Sequence, residues 1–156
     1  MRIIWTGSST IQSTAPQGGV DFARIEKPTT AMMPDYAAAK AANWFLAVEG
    51  ARRWGKDGII SVCQNPGNLD TGIQVAHGWL LLTIMRALFL YPAKYGAYTM
   101  LFSGFSSEVN EGTNGAYIWP FGQVRPVPRA DVLQAASDGK AKDFWEWCEK
   151  SWTKYT

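Results

Sequence analysis

Tyr36 and Lys40 stand four residues apart in the stretch "YAAAK". On a helix that spacing puts both side chains on one face. An ammonium beside a phenol favours the phenolate by Coulomb attraction. It draws a tyrosine down from its usual value of about 10 toward the working range of an acid or base. A hydroxyl tuned in this way can pass a proton to or from a substrate oxygen. Alone the spacing is weak evidence, because six tyrosines and eight lysines offer many chance pairs. It is also what an exposed helix face with a lysine stem laid along it would show.

Two further features bear on the same chemistry. Ser8 follows the β-prone run Arg2–Thr6, and "NPGNLDT" follows a second apolar run, with Pro66-Gly67 as a turn and Thr71 just beyond. In open α/β sheets, ligands bind in the crevice outside the carboxyl ends of the strands. A hydroxyl, a phenol with its lysine and a Pro-Gly turn are thus expected over one crevice. Each also has a plainer reading: Ser8 and Ser9 as strand-end caps, Pro66-Gly67 as an ordinary turn, Thr71 as an N-cap.

The elements that must position these groups alternate. Strands are expected near 2–7, 59–64 and 116–119. A long helix is expected from Pro34 and Asp35, with Arg52 and Arg53 in its last turn and Gly55 at its stop. One or two helices should run to Tyr91, with Pro92 as a boundary, and "AKYGAYTMLFSGF" reads as another. The tail from about Arg129 to Lys154 reads as helical, with an apolar stripe through Phe144, Trp145, Trp147, Cys148 and Trp152. Thr10–Met33, rich in turn residues and without periodicity, reads as a long loop. The order strand, helix, strand, helices, strand, helix implies an α/β fold with a parallel sheet.

Composition narrows the function classes. Fifteen basic against thirteen acidic residues leave a net charge of +2, and the charges are scattered. Nucleic-acid binding is not expected, since phosphate recognition needs clustered cations. Cys63 and Cys148 have neither zinc spacing nor the density of a secreted disulfide framework, which suits reduced thiols in a cytoplasmic protein. His77 is the single histidine and has no Cys, Asp or His at ligand spacing, so no metal is expected. The greasy stretch Trp79–Tyr91 has 13 residues with Arg86 inside, against the roughly 20 that a membrane span needs. It is a candidate for contact with a membrane surface or a partner.

In "RIIWTGSS", "YAAAK" and "NPGNLDT", in that order and on through "NGAYI", the sequence resembles the short-chain dehydrogenase/reductase family. The long interval before Tyr36 and the apolar stretch after Thr71 resemble its retinol-dehydrogenase-like and fungal members. The resemblance implies an oxidoreductase that moves hydride between NADP or NAD and an alcohol or ketone. It implies that Tyr36 is the acid/base, that Ser8 (with Ser9 as fallback) holds the substrate oxygen, and that Lys40 binds the nicotinamide ribose and tunes Tyr36. It places Pro66, Gly67, Leu69 and Thr71 against the nicotinamide. Trp5 and Trp44 are further candidates for the neighbourhood of the substrate pocket.

The resemblance also implies a C-terminal half of a Rossmann-like, doubly wound parallel sheet, with residues 1–156 as one partial domain. No G-x-x-x-G-x-G phosphate turn occurs in the chain, nor does the family's asparagine from the preceding helix. The strands near 2–7, 59–64 and 116–119 would be the family's fifth, sixth and seventh. On that basis cofactor binding by this chain alone is expected to be poor. The apolar pocket-forming stretches suggest a small lipophilic alcohol or ketone as substrate, and self-association into a homo-oligomer is a candidate. The alternative is a non-catalytic remnant that binds a partner or membrane surface.

Overall fold

The structure is a computed structural model, which describes residues 1–27, 31–71, 79–127 and 129–155. It opens with β1 (Arg2–Thr6), then the short helices α1 (Thr10–Ser13) and α2 (Phe22–Glu26) and the long helix α3 (Met32–Trp54). β2 (Ile60–Gln64) and the two-residue β3 (Leu69–Asp70) follow. Next come α4 (Trp79–Leu88), β4 (Tyr91–Pro92) and α5 (Lys94–Phe105). β5 (Tyr117–Trp119), β6 (Gln123–Arg125), α6 (Ala130–Ala135) and α7 (Ala141–Trp152) complete the chain.

The main sheet has the order β1-β2-β5-β6. β1 and β2 are parallel, with Trp5 opposite Cys63 and Thr6 opposite Gln64, and β2 and β5 are parallel too. The three expected strands therefore pair as expected. β6 was not anticipated: it turns back from β5 as an antiparallel hairpin closed between Trp119 and Gln123. A run as short as Gln123–Arg125, exposed at both ends, carries no alternation to announce itself. β3 and β4 form a small parallel pair of their own.

Helices cover both faces, the doubly wound arrangement. α3 crosses from β1 to β2, and Ala37, Ala41, Phe45, Cys63, Tyr117, Val132 and Phe144 form one core layer with Ile11 and Val20. On the other face Val62, Val109 and Ile118 pack with Ile4 and Phe102, the last from α5. Alanines let α3 lie close to the strands. Gly50 extends this: a Cβ there would stand 2.8 Å from the Ser61 hydroxyl. β1 is half-buried along its length and lies at the edge of the sheet.

Several expectations need correction. Thr10–Met33 is not one loop. It holds α1 and α2, buries Ile11, Ala15 and Val20, and is clamped from the far end of the chain. Arg129 donates to the Ala15 carbonyl at 3.1 Å and pairs with Asp131, which accepts from the Gly18 amide at 2.9 Å. Those contacts are too distant in sequence for local periodicity to register. α3 begins at Met32, two residues before Pro34, which leaves the proline in the first turn, where its missing N–H costs nothing. The helix after Thr71 stops at Leu88, and Tyr91-Pro92 is strand. The tail is helical but kinked at Gly139, whose φ of 104° breaks the regular turn between α6 and α7.

Candidate active site

The carboxyl end of β1 is tied to α3 by two side chains. Lys40 Nζ donates to the Thr6 carbonyl at 3.4 Å, and Asn43 Nδ2 donates to the same oxygen at 2.9 Å. Lys40 Nζ also stands 5.4 Å from the centre of the Tyr36 ring. The i, i+4 pair thus occupies one face of α3, and that face looks onto the rim of the sheet. Tyr36 is half-exposed.

Beyond Thr6 the backbone is held tightly. The Gly7 amide continues the ladder to the Gln64 carbonyl at 2.8 Å. A Cβ on Gly7 would lie 2.9 Å from Cys63 Sγ and 3.2 Å from the Tyr117 ring, so no side chain fits. The Tyr117 hydroxyl donates to the Ser8 carbonyl at 3.0 Å, which fixes the turn out of β1 from β5. Burial pushes both the Tyr117 phenol and the Cys63 thiol upward, so both stay protonated and neutral. Ser8 Oγ accepts from the Thr10 amide at 3.3 Å, in the turn that leads into α1.

The end of β2 forms the second wall. The Asn65 carboxamide accepts from the Gly67 amide at 3.0 Å, and Gly67 takes φ 92° to turn the chain at Pro66. The Ser9 hydroxyl donates to Asn68 Oδ1 at 3.3 Å, joining the two rims. Leu69 packs into the notch left by Gly96 on α5. Arg86 grips Asp70 with two bonds, at 2.7 and 3.2 Å, and so holds α4 to β3. Between these walls lies a cavity of about 190 Å³, closed on the β5 side by Trp119, Pro120 and Phe121. A larger hollow of about 320 Å³, beside Trp44 and Asn114, opens at the amino end of β5. It is the wrong rim for a doubly wound sheet.

Comparison with known proteins decides the family. The chain is 75% identical over 155 residues to the short-chain dehydrogenase/reductase iacJ of Pestalotiopsis fici, a match covering 99% of this chain and 48% of that protein. A short-chain dehydrogenase/reductase of Phomopsis amygdali is 36% identical, with 99% of this chain and 49% of the relative covered. The chain belongs to the short-chain dehydrogenase/reductase family. It spans about half the length of the curated relatives it matches. No family model matches it. A crystal structure of an uncharacterized Mycobacterium paratuberculosis protein superposes with a TM-score of 0.55 at 16% identity. That superposition covers 92% of this chain and 49% of the other, and it supports the α/β fold alone.

In this short-chain dehydrogenase/reductase chain the expected residues fall into two groups. Ser9, Pro66, Gly67 and Leu69 line the cavity at the rim. Tyr36, Lys40 and Ser8 do not line it: Lys40 reaches the rim through the Thr6 carbonyl, Tyr36 stands beside the Lys40 ammonium, and Ser8 lies in the turn out of β1. Thr71 lies exposed at the bend after β3, with residues 72–78 and His77 among them outside the described part. Among the described residues no cluster could hold a metal ion. Trp44 belongs to the core and not to the rim cavity, and Trp5 Nε1 donates to the Ser61 hydroxyl on the α3 side of the sheet.

Asn43, Gln12, Asn68 and Tyr117 were not singled out from sequence. Asn43 had a signal, standing three residues after Lys40 on the same helix face. Tyr117 reaches Ser8 across 109 positions, and nothing local marks it.

Proposed function

We propose that this chain carries the substrate and nicotinamide side of an NAD(P)-dependent oxidoreductase acting on a lipophilic alcohol or ketone. In this reading Tyr36 passes the proton at the substrate oxygen. Ser8 hydrogen-bonds that oxygen, and Lys40 holds a positive charge against the phenol while reaching the cofactor ribose. The observation that carries the reading is the position of Lys40, its ammonium between the Tyr36 ring and the Thr6 carbonyl at the rim.

The residues at hand suit the nicotinamide end of the cofactor. The Pro66–Leu69 turn exposes backbone beside a partly apolar cavity, and Ser9 and Asn68 add polar atoms. When bound, the nicotinamide supplies or accepts hydride at the substrate carbon. The chain's own groups orient the substrate oxygen, exclude water with apolar walls and move the proton at the Tyr36 hydroxyl. The test joins this chain to the remainder of the Pestalotiopsis relative and follows NADPH and NADH oxidation with a panel of lipophilic ketones. Cofactor-dependent reduction is the expected result, and no consumption with any ketone would count against the reading.

One observation favours a second reading, a module that docks on a membrane surface. None of the α4 residues is buried, and Trp79, Leu80, Leu88 and Phe89 are all more than half exposed. Apart from Thr83 and Arg86 the helix is apolar, and exposed apolar surface of that extent is normally covered by something. No helix among the described residues is long and apolar enough to cross a membrane.

A further inference from the structure

Ser8 and Tyr36 stand at the two ends of one stretch of chain, which leaves β1 and returns in α3. Both ends are tied into that stretch. The Ile11 amide donates to the Ser8 carbonyl at 3.1 Å and the Gln12 amide to the Ser9 carbonyl at 3.0 Å, so α1 carries the turn that presents Ser8. At the other end Arg24, on α2, stands 3.6 Å from the Asp35 carboxylate, beside Tyr36 in sequence. The middle has little regular structure of its own, since α1 and α2 have only four and five residues. Isolated helices shorter than about 12 residues are marginal in water. Their placement has to come from elsewhere in the fold.

It comes from the start of α6. Arg129 Nη1 donates to the Ala15 carbonyl at 3.1 Å, and the Gly18 amide donates to Asp131 Oδ2 at 2.9 Å. The two side chains lock each other, Arg129 Nε donating to Asp131 Oδ1 at 2.7 Å. The arginine bond, with the Gly18 amide in support, holds the Asp131 carboxyl well below the usual carboxylate range, so it stays charged. Hydrogen bonds with an ionised partner are the strong ones. Further along, α7 adds two contacts. Phe22 stands 6.3 Å from Phe144, ring centre to ring centre, and the Trp147 indole donates to the Glu26 carboxylate at 3.3 Å.

We infer that Arg129 and Asp131 are positioning residues, which hold residues 9–27 so that the Ser8 hydroxyl and the Tyr36 phenol keep their places on the substrate oxygen. The inference rests on the oxidoreductase reading for what those two groups do; the hold on the Ser8 turn is independent of turnover. Arg129 and Asp131 act through Ala15 and Gly18 and take no part in proton or hydride transfer. Chemistry between oriented groups is sensitive to such support: a misplacement of about 1 Å, caused far from the reacting atoms, can cost about 10²-fold. Asn114 supplies a matched control. Its carboxamide accepts from the Ser61 amide at 2.7 Å and donates to the Ile59 carbonyl at 3.1 Å. It is a side-chain clamp on backbone too, but at the amino end of β2, the opposite rim from Ser8 and Tyr36.

The test has two arms. In the joined enzyme, with NADPH and a lipophilic ketone, kcat is taken per folded molecule, the folded fraction coming from circular dichroism. Arg129→Ala and Asp131→Ala should each lower kcat by about tenfold or more, with the KM for NADPH little changed. Asp131→Asn keeps an oxygen for the Gly18 amide and should recover part of the rate. Asn114→Ala should lower the melting temperature and leave kcat per folded molecule near wild type. Near-normal kcat in both Arg129→Ala and Asp131→Ala, or an equal loss in Asn114→Ala, would overturn the inference. The second arm is hydrogen exchange in the full 156-residue chain. Asp131→Ala should speed exchange of the Ile11 and Gln12 amides severalfold and leave the Cys63 amide, bonded to the Ala116 carbonyl inside the sheet, unchanged. Unaltered exchange at Ile11 and Gln12 would overturn the inference whatever the enzyme does. Failure of the oxidoreductase reading would appear instead as absent ketone reduction by the wild-type joined enzyme, with this exchange pattern intact.

Discussion

Lys40 and Thr6 meet at 3.4 Å, ammonium to carbonyl oxygen, and this contact sets the Tyr36–Lys40 face of α3 on the end of β1. Asn43 shares the same oxygen at 2.9 Å. Replacing Asn43 with alanine removes the shorter bond and leaves the lysine. The expected cost is about 1 kcal/mol, the usual net worth of one hydrogen bond, read as a lower urea midpoint with an unchanged slope.

Gly7 is held where nothing larger fits. Its Cβ position lies 2.9 Å from Cys63 Sγ and 3.2 Å from Tyr117. Gly7→Ala should push the end of β1 away from Cys63 on β2 and the Tyr117 ring, and strain the Tyr117–Ser8 bond. Overpacking of a well-filled core costs about 1–3 kcal/mol, to be measured by chemical denaturation. Tyr117→Phe, which only removes the hydroxyl, should cost less.

Glu49 predicts the acid limb of stability. It is buried on α3, with Arg52 Nε at 2.8 Å and Arg53 Nε at 2.7 Å. The Arg52 hydrogen bond, with Arg53 in support, holds its carboxyl below the usual value of 4.5. A depressed carboxylate contributes stability that is fully present above the unfolded value. That stability is lost as pH falls through the folded one. Stability should therefore hold near pH 6 and decline below about pH 4.5, and Glu49→Gln should flatten that decline. At neutral pH the same variant should cost about 2 kcal/mol, since it strips two arginines of their shared partner.

The membrane-surface reading is tested separately. The chain is mixed with vesicles of anionic phospholipid and floated on a density gradient. Docking through α4 predicts co-flotation that Trp79→Ser with Phe89→Ser abolishes. Recovery of wild-type chain only in the protein fraction would remove that reading.

The sequence carried the three parallel strands because each is an apolar run with a turn residue behind it. It carried α3 because alanines, arginines and Gly55 mark a helix and its end. The Tyr36–Lys40 face was legible because four residues of helix suffice to place it. Ser9 and Pro66–Leu69 reached the rim cavity by the same logic of strand ends. The folding of residues 10–27 was not legible, because Arg129 and Asp131 clamp it from more than 110 positions away.

The most direct test of the account is the turnover of Tyr36→Phe in the enzyme made by joining this chain to the remainder of its Pestalotiopsis relative. If the Tyr36 hydroxyl moves the proton, kcat should fall by about 10²–10⁴-fold, the scale of a lost general acid or base, with cofactor affinity little changed. Near-normal turnover in that variant would contradict it.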